Sequence, residues 1–343
     1  MCVLLFLLAC CSKEQSRHVQ AENPSQAVAG DTSLNLKFTS GAGPIFEDSK
    51  GNVWVGSPHE GACRYDGQSM VYLTSKEGLP DDQIRSIQED ENGNIWFGTA
   101  KGVGSYDGEK ITNYRLSTNG EWEKTGQDLW FNAGIKEGVY RYDGQALSYL
   151  AFPKPKITNP NNVYHVTCLS EGKNDMLWIG TYAGIFGFDG TRFTTINDES
   201  LGLNAETGAL HIRSLLEDSK GRLWIGNNGI GVLLRAGGVT VNFSEQNQLI
   251  HPSSSKQGEK SPAGTLEHVF AIEEDKDGNI WFGDRDTGAW KYDGDSMTNY
   301  SRDAGLSHDF VQAIYQGRNG ELWFGLADGN VFKFNGKTFD KQF

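Results

Sequence analysis

Three of the seven histidines in this 343-residue chain, His165, His211 and His268, share one repeated position, thirteen residues before a tryptophan. Neutral imidazoles gathered at one place can ligate a metal, so the metal question stays open at this point. In other copies the same position holds Gln83 and Phe310, so it also reads as a strand cap that accepts amide or aromatic side chains. Two residues further on stand Arg85 and Arg213, whose guanidinium groups offer donors to an anionic or sugar ligand. Tyr182 and Arg285 fall in turns expected on the same side of the molecule. The candidate ligand-binding set is therefore His165, His211, His268, Arg85, Arg213, Tyr182 and Arg285. No catalytic residue is assigned: G-x-S-x-G, H-E-x-x-H, Cys-x-x-Cys and P-loop patterns are all missing from the sequence. No cofactor is expected. Asp275-Lys276-Asp277-Gly278-Asn279 resembles the start of a calcium loop but has no Glu at the twelfth position, and reads as a turn. The carboxylates at 89–91 and 273–275 read as solvated turn residues.

These side chains need a scaffold, and an internal repeat supplies it. Trp-x-Gly recurs at Trp54, Trp96, Trp178, Trp224, Trp281 and Trp323, with a seventh, altered copy at Trp130. The intervals are 42, 34, 48, 46, 57 and 42 residues, the period of a four-stranded propeller blade. The second copy shows the internal order. Strands are expected at 84–88, 94–98, 102–106 and 110–114, separated by Asn92-Gly93 and Asp107-Gly108 turns. The expected fold is all-β, a seven-bladed β-propeller of four-stranded antiparallel blades over residues 34–343. Blade 3 is shortened before its Trp, and its weakest element is strand A, expected around 120–124. The outer strand of the last blade can come from 337–343 or from 34–39. The longest connections, 151–162 and 246–264, should leave on the face where each strand A begins, beside turns carrying His59, Lys101, Lys136, Tyr182, Arg285 and Asp286.

The chain carries 31 basic against 44 acidic residues, a formal charge of −13, with no basic stripe. That balance argues against nucleic acid as a partner. Residues 1–10 read as a lipoprotein-type signal segment, in which Leu7-Leu8-Ala9-Cys10 resembles a lipobox with Cys10 as the lipidated residue. An apolar run of that length is too short to span a bilayer. Residues 11–33 read as a flexible tether. Beyond them only Cys63 and Cys168 remain, in different repeats, so no disulfide framework is expected.

Glu47-Asp48-Ser49-Lys50-Gly51-Asn52-Val53-Trp54-Val55-Gly56, its counterpart at 217–226 and the linkers at 77–84 and 304–311 resemble the two-component regulator propeller repeat. The resemblance covers about residues 40–343 and is looser in blades 3 and 5. In that family such repeats form the periplasmic ligand-sensing part of hybrid histidine-kinase sensors, many of them detecting carbohydrates. It implies a free-standing, lipid-tethered module at the bacterial cell envelope; the module is expected to be monomeric and to touch the membrane through its anchor alone. Its partner would be a carbohydrate or a protein. The alternative is a propeller-type lyase or hydrolase with its site at the channel mouth.

Overall fold

A computed structural model describes residues 35–119, 121–153, 163–204, 206–252 and 259–343. Cys10, the tether and parts of both long connections lie outside the described residues. Seven four-stranded sheets stand in succession, with almost no helix beyond short turns. In six blades the strands follow chain order from the innermost, A, to the outermost, D. Blade 2 is typical, with strands Ile84–Glu89, Ile95–Thr99, Val103–Tyr106 and Ile111–Tyr114. Among the described residues no helix is long and apolar enough to cross a membrane.

Four of the tryptophans pin the A–B turn of their own blade through one recurring bond. Trp54, Trp96, Trp224 and Trp281 are fully buried, and each indole nitrogen donates to an aspartate six residues earlier. Those acceptors are Asp48, Asp90, Asp218 and Asp275, at 2.8, 2.9, 2.8 and 2.8 Å. The same carboxylates accept backbone N–H groups of their own A–B turns, as Asp90 does from Asn92 and Asn94. Asp275 does so from Asp277 and Asn279, so the calcium-like segment is a structural turn.

Neighbouring blades are tied by the glutamate just before that aspartate. Glu89 accepts from the backbone and hydroxyl of Ser49 in blade 1, and Glu274 from those of Ser219 in blade 5. Glu217 accepts from Lys173 N–H and the Trp178 indole of blade 4, and Glu47 accepts from Arg318 N–H of blade 7. Asp90, Glu89, Asp275 and Glu274 are therefore not idle solvated carboxylates: they bind the turns and join the blades.

Blade 3 departs from the plan. Its innermost strand is Leu129–Asn132, which carries Trp130 and so corresponds to strand B elsewhere. No strand forms among the described residues of 120–124. The preceding segment Leu116–Asn119 instead pairs in parallel with Leu147–Ala151 on the outer edge. The blade keeps four strands but lacks an inner A strand and an A–B turn. Accordingly Glu171, the clip residue of blade 4, is exposed and has no partner among the described residues.

The ring closes without exchanging strands. Residues 339–341 supply the outer strand of blade 7, and Ile45–Glu47 the inner strand of blade 1. The segment before blade 1 crosses the seam, where Ala42 N–H donates to Leu326 O at 2.9 Å. Phe343 packs against Tyr65 and Trp323. No disulfide joins Cys63 to Cys168.

Candidate functional site

The inner strands put small sets of residues at defined depths of the central channel. In blades 2, 4, 5, 6 and 7 the A–B pairing skips one residue near the start of strand A. The skipped residues are Arg85, Thr167, Arg213, Phe270 and Gln312. An extra residue in one strand re-aims its side chain, while Ile84 and Ile212 beside it stay buried in the blades. Arg85, Arg213, Phe270 and Gln312 thereby line a channel cavity of about 430 Å³.

At the mouth above them the side chains form a continuous run. The His165 ring lies 6.4 Å from Tyr182, and Tyr182 lies 4.8 Å edge-on from His211. The Arg213 guanidinium sits between two rings, 5.1 Å from Tyr182 and 4.8 Å from Phe270. Phe270 in turn meets Phe310 at 4.8 Å. Arg85 donates to Asn132 Oδ1 at 3.1 Å and Gln83 Oε1 at 3.5 Å. Burial lowers its pKa, opposed by its neighbours Tyr182 and Asp81.

Two polar groups of this run have no partner among the described residues: the buried Nε of Arg213 and Nε2 of His211. Desolvation, the Arg213 charge and His268 together push His211 down to about 4, so it is a neutral imidazole at ordinary pH. Deeper in the channel, Glu273 is pushed up to about 8 by burial, with Glu274 adding to the effect. It lines the channel instead of lying in a solvated turn, and it is protonated near neutrality.

His165, His211, Arg85, Arg213 and Tyr182 are thus brought together, whereas His268 and Arg285 are drawn elsewhere. His268 is buried, with Nδ1 2.7 Å from Asn228 Oδ1 and Nε2 3.2 Å from Glu259 O. Arg285 donates to Asp286 at 2.7 Å and to the same Glu259 carbonyl at 2.5 Å. Both residues pin the end of the 246–264 connection. Beneath them Asp284 accepts backbone N–H groups of Glu267, His268, Asp286 and Thr287, while burial pushes it up to about 7. Among the described residues no three His, Cys, Asp or Glu side chains stand close enough to hold a metal.

The missing A strand of blade 3 enlarges the site sideways. A recess of about 670 Å³ lies between strand A of blade 2, Leu129–Asn132 and strand A of blade 4. It shares Arg85 and Cys168 with the channel, so the two spaces adjoin along that wall. Trp130 in its wall has a buried indole nitrogen with no partner among the described residues. Burial pushes the Cys168 thiol up to about 12, which removes it as a nucleophile. Sequence reasoning missed the recess. The signal available for it was the 34-residue interval between Trp96 and Trp130, the shortest in the chain.

A closed seven-bladed ring with a mouth of guanidinium, imidazole and aromatic groups defines a propeller with a ligand-sized axial site. The two component regulator propeller model matches residues 78–101, 208–229, 265–286 and 305–328, which fall in blades 2, 5, 6 and 7. Two extracellular domains of putative hybrid two component systems of B. thetaiotaomicron superpose with TM-scores of 0.64 and 0.60, at 20% and 21% identity. They cover 92% and 89% of this chain, which spans about two-fifths of their length (41% and 39%). Virginiamycin B lyase from Staphylococcus aureus gives a TM-score of 0.64 at 16% identity, covering 87% of this chain and 96% of its own. At such identities the likeness is one of fold. No curated protein matches the sequence.

Proposed function

We propose that this chain is a ligand-binding or sensing propeller of the bacterial cell envelope, held to a membrane through Cys10, with a saccharide bound at the mouth of its channel. The observation that carries this reading is the placing of Arg85 and Arg213 beside Tyr182, with the buried Nε of Arg213 left without a partner among the described residues. Rigid aromatic walls with a few convergent polar groups are what a small-molecule site requires. The extracellular sensor domains that share the fold support the envelope location, and Leu7-Leu8-Ala9-Cys10 supports the anchor. A thermal-shift screen against oligosaccharides tests it. A ligand at a hundred times its Kd adds about 2.7 kcal/mol, and wild type should shift while Tyr182→Ala should not. The absence of any shift across neutral and acidic saccharides would leave a protein partner in place of the sugar.

A second reading rests on His211, neutral and with Nε2 unpartnered, as a general base in a lyase. Turnover of quinupristin, the compound held in one structure of the Staphylococcus aureus virginiamycin B lyase, by wild type and not by His211→Ala would favour it.

A further inference from the structure

The mouth of the channel shows a charge arrangement that a neutral sugar would leave unexplained. The protein carries a net charge of −13, and carboxylates are abundant. Arg141, Arg222, Arg285, Arg302 and Arg318 each have an Asp or Glu within 4 Å. Arg213 has no hydrogen bond or ion pair with any described residue, only the two rings that sandwich it. Arg85 meets only amide oxygens, because the nearby Asp81 is held by Lys101 at 2.6 Å. A partly desolvated guanidinium without a counter-charge is costly to keep in a fold. Arg213 is such a group, and Arg85, which faces the same cavity with only the more distant charge of Asp81 beside it, adds to a site for negative charge.

The channel part of the cavity agrees, while the carboxylates of the recess, Glu89 and Glu171, stand where the inner strands finish. Glu273, the acid that lines the same channel, is protonated near neutrality and does not compete for the guanidinium groups. His211 is neutral there and can accept or donate one hydrogen bond through its unpaired Nε2. Tyr182 and Phe270 lie 5.1 and 4.8 Å from the Arg213 guanidinium, a planar fork whose donors match a bidentate carboxylate. The recess beside blade 3 gives the remainder of a ligand about 670 Å³ of further space.

We infer that the ligand is a carboxylate-bearing saccharide, a uronate oligomer, whose carboxylate is gripped between Arg85 and Arg213 while its sugar rings extend along the aromatic wall and into the recess vacated by strand A of blade 3. This rests on the saccharide reading above and narrows it.

The test is calorimetric titration of the full chain with a trigalacturonate, with neutral galactotriose and with inorganic sulfate, using wild type, Arg213→Gln, Arg213→Lys and the exposed-site control Arg192→Gln. The expected result is binding of trigalacturonate alone, weakened at least thirty-fold by Arg213→Gln, less by Arg213→Lys and not by Arg192→Gln. Binding should also weaken as salt rises. Melting temperatures of the variants separate lost affinity from lost fold. If galactotriose binds as tightly and Arg213→Gln is without effect, the acidic-ligand inference falls while the saccharide reading stands. If sulfate alone binds with the same arginine dependence and trigalacturonate gains nothing over it, the site takes a free anion and the inference falls too. No binding in any arm overturns both.

Discussion

The two ends of the same inner strands are used in opposite ways. At the end where each strand A finishes, acidic side chains are consumed by the fold. Four aspartates cap their turns and bond a tryptophan, and four glutamates reach the turn of the blade before. At the end where strand A begins, Arg213 and His211 carry buried nitrogens with no protein partner, and Arg85 makes only amide contacts. Polar groups that satisfy one another contribute to stability, whereas polar groups left over are what a ligand can use. The difference separates structure from function along a single strand.

The largest effects should come from the consumed end. Trp96→Ala should cost about 3–5 kcal/mol, because it empties a fully buried aromatic position. Asp90→Ala should cost about 2–3 kcal/mol, since it strands the indole N–H and two turn amides without an acceptor. Urea unfolding measures both. If Asp90→Ala unfolds at the wild-type midpoint, the carboxylate is not the pin described here.

A smaller effect should appear at the open end, as a pH dependence. His211 stays neutral in the fold down to about 4, while in the unfolded chain it protonates below about 6.5. Its contribution therefore subtracts stability as pH falls from 6.5 toward 4. His211→Asn should flatten that part of the stability profile and leave the region above pH 7 unchanged. A variant whose melting temperature tracks wild type throughout pH 4–7 would show that the imidazole is not desolvated as described.

Much of the fold was legible because the repeat is local. Each Trp-x-Gly with its Asp-Gly turns lies within one blade, so seven anchors gave seven blades, as observed. Blade 3 escaped because its outer strand is Leu116–Asn119, paired in parallel with a segment some thirty residues away. Nothing in a polar stretch such as Glu121-Trp122-Glu123-Lys124 distinguishes a weak strand from a missing one. The clip formed by Glu89 was also invisible, since its partner Ser49 belongs to another blade. For the site, spacing identified the shared histidine position but not where each ring turns. His211 and His268 occupy equivalent places, yet Asn228 and the Glu259 carbonyl capture the second. The one-residue skip in pairing that carries Arg85 and Arg213 belongs to the A–B ladder and leaves no mark on the sequence pattern.

The division between the two ends is tested most directly by unfolding free energies of Glu217→Ala, Glu171→Ala and Arg213→Gln measured together. Glu217→Ala should lose about 1–3 kcal/mol, because the Trp178 indole and Lys173 amide lose their acceptor. Glu171→Ala should stay within about 0.5 kcal/mol of wild type, because blade 3 offers it no turn to clip. Arg213→Gln should stay within about 1 kcal/mol, the lost ring contacts being offset by removal of an uncompensated charge. A large loss for Arg213→Gln together with no loss for Glu217→Ala would contradict the account.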